Sequence, residues 1–148
     1  MNSTHRRGAE DAEFPQREVT EKVIAAAIEV HSALGPGLLE SVYQHAMAHE
    51  LELRSIEFES QVAVPIRYKH LSIEPPLRLD LLVAKTVIVE VKAVASLGEI
   101  HRAQLLTYLR LIDLEAGLLI NFNTTSLRLG LKRVVNSRRT SASSAPLR

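Results

Sequence analysis

The sequence has 148 residues, enough for one domain with a substantial core, and its 46% hydrophobic and 24% charged content is ordinary for a folded protein. It contains no cysteine, which excludes a disulfide framework and any thiolate-held zinc or iron–sulfur cluster. The net charge is only +1, but Glu115 is the last acid, so the carboxyl-terminal end is basic. Nothing near the start resembles a signal peptide, and no run approaches the roughly 20 apolar residues that cross a bilayer, so we expect a cytoplasmic protein with no membrane attachment.

The two ends of the chain are predicted to be unstructured. Residues 1–18 are polar and mixed in charge, which favours a disordered N-terminal arm. Residues 137–148 are rich in serine, arginine and alanine, which favours a disordered basic tail. One folded domain is therefore expected between residues 19 and 136.

Two helices are predicted at the start of this domain. Thr20 can cap the first, and apolar residues then recur at helical spacing up to Leu34. The segment Gly35-Pro36-Gly37 ends this helix. The second helix follows within residues 38–54, with one apolar side made of Leu39, Val42, Tyr43, Ala46 and Met47.

The rest of the domain predicts a sheet interrupted by one helix. Residues 58–68 alternate as a strand does, Lys69-His70 suits a turn, and two more strands are expected at about 77–83 and 87–92. After Ser96 a helical pattern returns, then "AGLLINF" is typical of a strand covered on both faces, and "LRLGLKRVV" supplies a last edge strand. This order predicts an α/β (α+β) fold: a mixed central β-sheet flanked by helices.

Three charged residues, Asp80, Glu90 and Lys92, lie inside the two strands of an otherwise apolar hairpin. Side chains two apart on a strand share a face, so Glu90 and Lys92 point together. A three-residue loop at 84–86 puts Asp80 directly across from Glu90, whereas the commoner two-residue loop puts it opposite Val89, buried without a partner. We therefore expect the longer loop. Two converging carboxylates repel each other, which favours a bound divalent cation, and a lysine beside them can stabilise developing negative charge.

Simpler interpretations stay open for these residues. Judged by spacing alone, the three charged residues of the hairpin are more often a structural salt bridge on an exposed sheet face. Glu40 can be an ordinary acid in the first turn of a helix, where the dipole favours it, and Tyr43 can be a core residue. His45 and His49 are four apart on a helix and suggest zinc, but no third ligand is evident.

The pattern of an acid followed ten residues later by Glu-x-Lys, here Asp80 and Glu90-Val91-Lys92, resembles the PD-(D/E)XK nuclease superfamily, with its restriction-endonuclease-like fold. The segment "GLLESVY", residues 37–43, resembles the signature of the small bacterial GxxExxY proteins. "AQLLTYL" contains Gln104 and Tyr108, similar to the Gln-x-x-x-Tyr element of RecB-like exonucleases. Together with "LLINFN" and "LKRVV", the resemblance spans residues 18–136. Leu79 replaces the proline before Asp80, and the cluster cysteines of RecB-like enzymes are missing, so only the nuclease core carries over.

The resemblance implies an αβββαβ core, preceded by an extra N-terminal helix, with an acidic site at the sheet edge. Asp80 and Glu90 would bind Mg²⁺ or Mn²⁺, and the backbone carbonyl of Val91 would be a further ligand. Lys92 would position the attacking water or stabilise the transition state. Glu40 would add a contact to the metal or to water, which completes the expected catalytic set of Glu40, Asp80, Glu90 and Lys92. Gln104 and Tyr108, one helical turn apart, would hold the substrate phosphate or the lysine.

The implied function is metal-dependent hydrolysis of phosphodiester bonds in nucleic acid, with DNA favoured over RNA and a homodimer left open. The alternative is a catalytically silent module on the same fold that binds nucleic acid or protein. The intact set of two acids and a lysine favours the enzyme, because a pure binder gains nothing from negative charge facing phosphates. The net charge favours the module, since +1 gives little non-specific affinity for DNA.

Overall fold

The computed structural model describes residues 15–137, in which three α-helices flank a five-stranded sheet. The helices are α1 (Pro15–Leu34), α2 (Glu40–Leu53) and α3 (Glu99–Leu111). The strands are β1 (Phe58–Tyr68), β2 (Leu71–Val83), β3 (Val87–Lys92), β4 (Ala116–Asn121) and β5 (Leu131–Val135), and a short 3-10 helix, Leu127–Gly130, precedes the last of them. This mixed sheet with flanking helices confirms the predicted fold class. No helix in the described range is long and apolar enough to span a membrane.

The order of the strands across the sheet is the order along the chain. Neighbouring strands are antiparallel except for β3 and β4, which are parallel. A parallel pair needs a crossover connection, and α3 supplies it. The carboxyl ends of both strands therefore lie at one edge of the sheet, where Lys92 pairs with Asn121.

Two apolar layers cover the sheet. Val87, Val89 and Val91 of β3 pack in the layer that α1 and α2 form, whereas Ile88 packs with Leu105 of α3 in the layer on the opposite face. β3 is therefore buried on both faces along nearly its whole length. A strand in this position has no exposed place for a charge, which makes the burial of Glu90 the exception to be explained.

The first helix begins earlier than predicted. It starts at Pro15 instead of after residue 18, and proline is favoured at the first helical position. Thr20 therefore does not cap the helix. It is buried inside it, where its hydroxyl donates to the carbonyl oxygen of Arg17 and accepts a hydrogen bond from Arg133. The remainder of the predicted arm, residues 1–14, and residues 138–148 of the predicted tail lie outside the described residues.

The second strand is also longer than predicted, because it runs from Leu71 through Pro75-Pro76 to Val83. Prolines disfavour a strand, since they cannot donate to the ladder. Here the pairing of β1 with β2 shifts between Val64 and Ile66, so residues 74–76 fall in the irregular part of the ladder. The two strands form a long hairpin whose paired residues 62–79 are named the hairpin arm below.

Candidate active site

The turn between β2 and β3 is the three-residue loop that the sequence predicts. The pairs Val83–Val87 and Leu81–Val89 leave residues 84–86 as the loop. Ala84 and Lys85 adopt positive φ angles of 52° and 60°, which brings the chain round in this short distance. The same register places Asp80 across from Glu90.

Side-chain carboxylates replace the backbone ladder at this point. The assigned pairing of β2 with β3 ends at Leu81–Val89. The Asp80 amide then donates to Oε2 of Glu90 at 3.0 Å, and the Val91 amide donates to Oδ2 of Asp80 at 2.8 Å. Each carboxylate thus accepts a hydrogen bond from the backbone of the other strand. This exchange explains how two acids are held together where the strands separate.

Helix α2 adds a third acid and an amide to the same place. Gln44 donates from Nε2 to Oε2 of Glu40 at 3.3 Å, and its side chain also hydrogen-bonds to Asp80. Glu40 is the first residue of α2, where the positive end of the helix dipole stabilises a negative charge. Gln44 is a site residue that the sequence analysis missed. Its position four residues after Glu40 on a helix was the available signal.

The loop that leads into α2 is held by Tyr43. Its hydroxyl donates to the carbonyl oxygen of Gly35 at 2.6 Å and accepts from the amide of Leu38 at 3.1 Å. Gly35 and Gly37 have φ angles of 73° and 99°, a region that favours glycine. The tyrosine ring is fully buried and stacks on Phe122. Tyr43 is therefore a core residue whose hydroxyl fixes the start of the helix that carries Glu40.

We expect Tyr43→Phe to lower the free energy of unfolding by about 1–2 kcal/mol, because two backbone groups lose their common partner. Urea unfolding measures the effect. Tyr68→Phe is the matched control, since the Tyr68 side chain is exposed on the hairpin arm. Equal stability of the two variants would show that the buried hydroxyl has no structural role.

The basic side of the site is made by Lys92 and α3. Lys92 donates from Nζ to Oε1 of Gln104 at 3.3 Å, and Gln104 also hydrogen-bonds to Tyr108 one turn further along α3. Within residues 15–137, the ion pairs shorter than 4.0 Å join residues close in sequence and do not include Lys92; they are Lys22–Glu18, His49–Glu52 and Arg54–Glu50. The salt-bridge interpretation of the hairpin charges is therefore not the arrangement that the described residues adopt.

Burial, together with the charges of neighbouring acids, raises the pKa values of Asp80 and Glu90. Burial and the charge of Asp80 raise the pKa of Glu90 to about 8, against the opposing effects of its backbone hydrogen bond and of Lys92. Burial also raises the pKa of Asp80, while the hydrogen bond from Val91 opposes this. Burial and the charges of both acids raise the pKa of Tyr108. We therefore expect the acid pair to share a proton at neutral pH when no cation is bound.

This donor set suits a hard divalent cation, because it offers carboxylate oxygens at one spot, where a bound cation would offset their mutual repulsion. Among residues 15–137, however, no three His, Asp or Glu side chains form a group that could hold a metal ion. Glu40 is therefore not part of such a group, but its charge raises the pKa values of both Asp80 and Glu90, and Gln44 hydrogen-bonds to Glu40 and to Asp80. His45 and His49 also belong to no such group of possible metal ligands among these residues.

The fold and the opened hairpin define a restriction-endonuclease-like protein. The family model of the PD-(D/E)XK nuclease superfamily matches residues 17–134, and the chain belongs to that superfamily. Members of this superfamily generally use divalent metal ions, and membership implies nucleic-acid binding.

A solved structure entitled "Crystal structure of SSO0001" is similar to this chain, with 19% sequence identity and a TM-score of 0.51. The similarity covers 93% of this chain and 68% of that one, and at this identity it shows the fold alone. None of the curated proteins matches the chain significantly.

Proposed function

We propose that the protein is a metal-dependent nuclease that uses Asp80, Glu90 and Lys92 to hydrolyse phosphodiester bonds of nucleic acid. The main support for the proposal is the place where the carboxylates of Asp80 and Glu90 replace the backbone pairing of β2 with β3. The two carboxylates converge there, and neither forms an ion pair with a cation among the described residues. Burying a carboxylate without a charged partner costs several kcal/mol, so stability alone does not account for this arrangement.

Asp80 and Glu90 are the proposed ligands of Mg²⁺ or Mn²⁺, with the Val91 carbonyl as a further ligand. When bound, such an ion neutralises charge on phosphate oxygens and lowers the pKa of water. The acid pair releases its shared proton to make this site available. Glu40, whose charge acts on both of these acids, is proposed to add a contact to the metal or to orient a water molecule.

Lys92 is the proposed electrostatic catalyst. Its Nζ is held by Gln104, and its charge acts on both Asp80 and Glu90. From this position the ammonium group stabilises negative charge that develops on the phosphate, or orients the attacking water. Gln104 and Tyr108 are proposed to keep the lysine and the substrate phosphate in place.

We further propose that the chain belongs to the GxxExxY group of the superfamily. The residues of the signature act as one unit: Gly37 shapes the loop, Glu40 begins the helix, and Tyr43 ties the loop to the core. The preference for DNA over RNA, the homodimer and the cytoplasmic location stay predictions from the sequence.

A catalytically silent binding module on the same fold is the second candidate. The lack of a three-acid cluster in residues 15–137 favours it, because fewer ligands give weaker metal binding. The raised pKa of Glu90 also favours it, since a proton competes with the metal at neutral pH.

The test is cleavage of labelled single- and double-stranded DNA and RNA in Mg²⁺, Mn²⁺ or EDTA. We expect cleavage only with metal, and a loss of about 10²-fold or more in Asp80→Asn. The asparagine keeps an oxygen that can accept the Val91 amide, so the hairpin should still fold. Glu99→Gln, an exposed change in the first turn of α3, is the control and should keep full activity. Binding of nucleic acid without cleavage under any condition would favour the module.

A further inference from the structure

The hairpin arm, residues 62–79, extends from the site into solvent. β2 pairs with β3 only at residues 81–83, so no strand lies beside the β2 side of the arm. The base of the arm is fixed, because Val64 and Leu79 are buried in the layer next to α3. Further out, residues 67–75 are all exposed. The arm is thus a projecting two-stranded ribbon anchored next to Asp80.

The arm is positively charged in an acidic part of the chain. It carries Arg67, Lys69 and Arg78, and its one acid is Glu74. All four side chains are exposed, whereas the rest of residues 1–115 contains more acids than bases. This excess of basic residues on a ribbon beside the site indicates a negatively charged partner.

The length of the arm is close to that of one turn of a DNA duplex. Its tip, Lys69-His70, lies about ten residues from Asp80 along β2, which at about 3.3 Å per residue is at most about 33 Å. One turn of a DNA duplex is about 34 Å long. A duplex with one phosphate at the site would therefore present further phosphates along the whole arm. A single strand is flexible and does not keep its phosphates at fixed distances, so it gains less from such a ribbon.

The arm also has an apolar strip that would suit a second copy of the chain. The strip consists of the cross-strand pairs Ile66–Ile73 and Tyr68–Leu71, whose outer pair is about 60% exposed. Lys69 borders this strip, with its Nζ 5.3 Å from the centre of the Tyr68 ring, so if two arms met along the strip, Lys69 of one copy would approach the same charge of the other. That repulsion favours a polyanion over a second copy.

We infer that the hairpin arm is a nucleic-acid-binding element that holds the phosphate backbone of a duplex on one side of the cleavage site. This inference names the form of substrate and rests on the proposed function for its biological meaning. Arg67 and Lys69 near the tip contact phosphates distant from the site, and Arg78, anchored on the Gln61 carbonyl, contacts nearer ones.

The experiment measures affinity for a DNA duplex of about 30 base pairs in EDTA, at several salt concentrations. The double variant Arg67→Ala/Lys69→Ala should bind about tenfold more weakly, and its salt dependence should fall by about two phosphate contacts. The control, Arg128→Ala/Lys132→Ala, removes the same charge from exposed positions near the far edge strand and should bind like wild type. With a duplex of about 8 base pairs, or with a single strand, the arm variant should lose much less.

The outcomes separate this inference from the proposed nuclease. Equal affinity of the arm variant and the control would overturn the arm's role, and metal-dependent cleavage would then still support the nuclease. A loss of duplex affinity in the arm variant but not in the control, without any cleavage by wild type, would support the binding role of the arm and contradict the proposed nuclease activity. If wild type binds no duplex, the inference fails. It also fails if Tyr68→Ser/Leu71→Ser converts a dimer into a monomer in light scattering while duplex affinity is unchanged.

Discussion

Replacing Lys92 with alanine should lower turnover by about 10²-fold or more and change nucleic-acid affinity little. The Lys92 charge lowers the pKa values of Asp80 and Glu90, so it lies within electrostatic reach of both acids. A cation in that position interacts most strongly with the extra negative charge that the phosphate gains during the reaction. An interaction that is stronger in the transition state than in the bound substrate affects kcat more than KM.

Lys85→Ala is the matched control for this prediction. Lys85 is an exposed lysine in the 84–86 loop of the same hairpin, at the end away from the site, and its loss should not change turnover. Lys92→Met tests the charge separately from the shape, because methionine fills much of the space of the lysine stem. Single-turnover cleavage at saturating enzyme separates chemistry from binding. If Lys92→Ala cleaves as fast as wild type, Lys92 has no electrostatic role and the binding-module interpretation gains support.

The central geometry of the site could be predicted from the sequence because two simple rules agree on it. Strand alternation pairs Glu90 with Lys92, and avoidance of an isolated buried acid selects the three-residue loop. The observed register, continued by one residue beyond the pair Leu81–Val89, brings Asp80 across from Glu90, and the hydrogen bond from the Asp80 amide to Glu90 agrees with this. Gln104 meets Lys92 for a similarly local reason, since α3 crosses over the strand that ends in Lys92.

The separation of β2 from β3 at Asp80 could not be predicted, because the alternating sequence pattern gives no sign of it. Leu79 and Leu81 are two apart and should share a face, yet Leu79 packs next to α3 and Leu81 packs next to α1 and α2. The strand therefore changes its orientation at Asp80. In β1, Gln61 lies across from this point and has a φ angle of 53°. Nothing in the apolar pattern marks such a change, because both leucines are buried either way.

Gln44 and the hairpin arm were missed for a different reason, since each depends on contacts distant in sequence. Gln44 gains its role only because α2 meets the opened hairpin at Asp80. The second strand was predicted to begin at about residue 77, whereas it begins at Leu71. Prolines disfavour a strand, and only the pairing with β1 shows how Pro75-Pro76 are accommodated. In both places the deciding contacts are with residues distant in sequence, which local sequence preferences do not show.

In the absence of divalent metal, the free energy of unfolding should fall as the pH rises from about 5 to about 8. The pKa of Glu90 is about 8 in the folded protein and 4.5 for an ordinary glutamate. Between these values the folded state keeps a proton that the unfolded state has lost, so each rise in pH favours unfolding. One such proton changes stability by up to about 1.4 kcal/mol per pH unit. Below about pH 4.5 Glu90 is protonated in both the folded and the unfolded state, so its ionisation no longer lowers the free energy of unfolding.

Glu90→Gln should flatten this pH profile and should be more stable than wild type at pH 8. Glutamine cannot ionise, but its side-chain oxygen can still accept the amide hydrogen bond of Asp80. Urea unfolding from pH 5 to 8 in EDTA measures the effect, with the exposed change Glu21→Gln as a control that should keep the wild-type slope. Parallel profiles for wild type and Glu90→Gln would contradict the shared proton.

Adding Mn²⁺ at pH 8 should narrow the difference in stability between these two proteins, because the cation binds the ionised acids of wild type and only one acid remains in the variant. At a concentration 100 times its Kd, a bound ion adds about 2.7 kcal/mol. This offsets roughly half of the ionisation penalty, which at about 1.4 kcal/mol per pH unit is at most about 5 kcal/mol. The melting temperature of wild type should therefore rise more than that of Glu90→Gln. The difference should shrink towards pH 5, where protons compete for the same oxygens. Equal shifts at every pH would place metal binding away from Glu90, and the acid pair would then need another explanation.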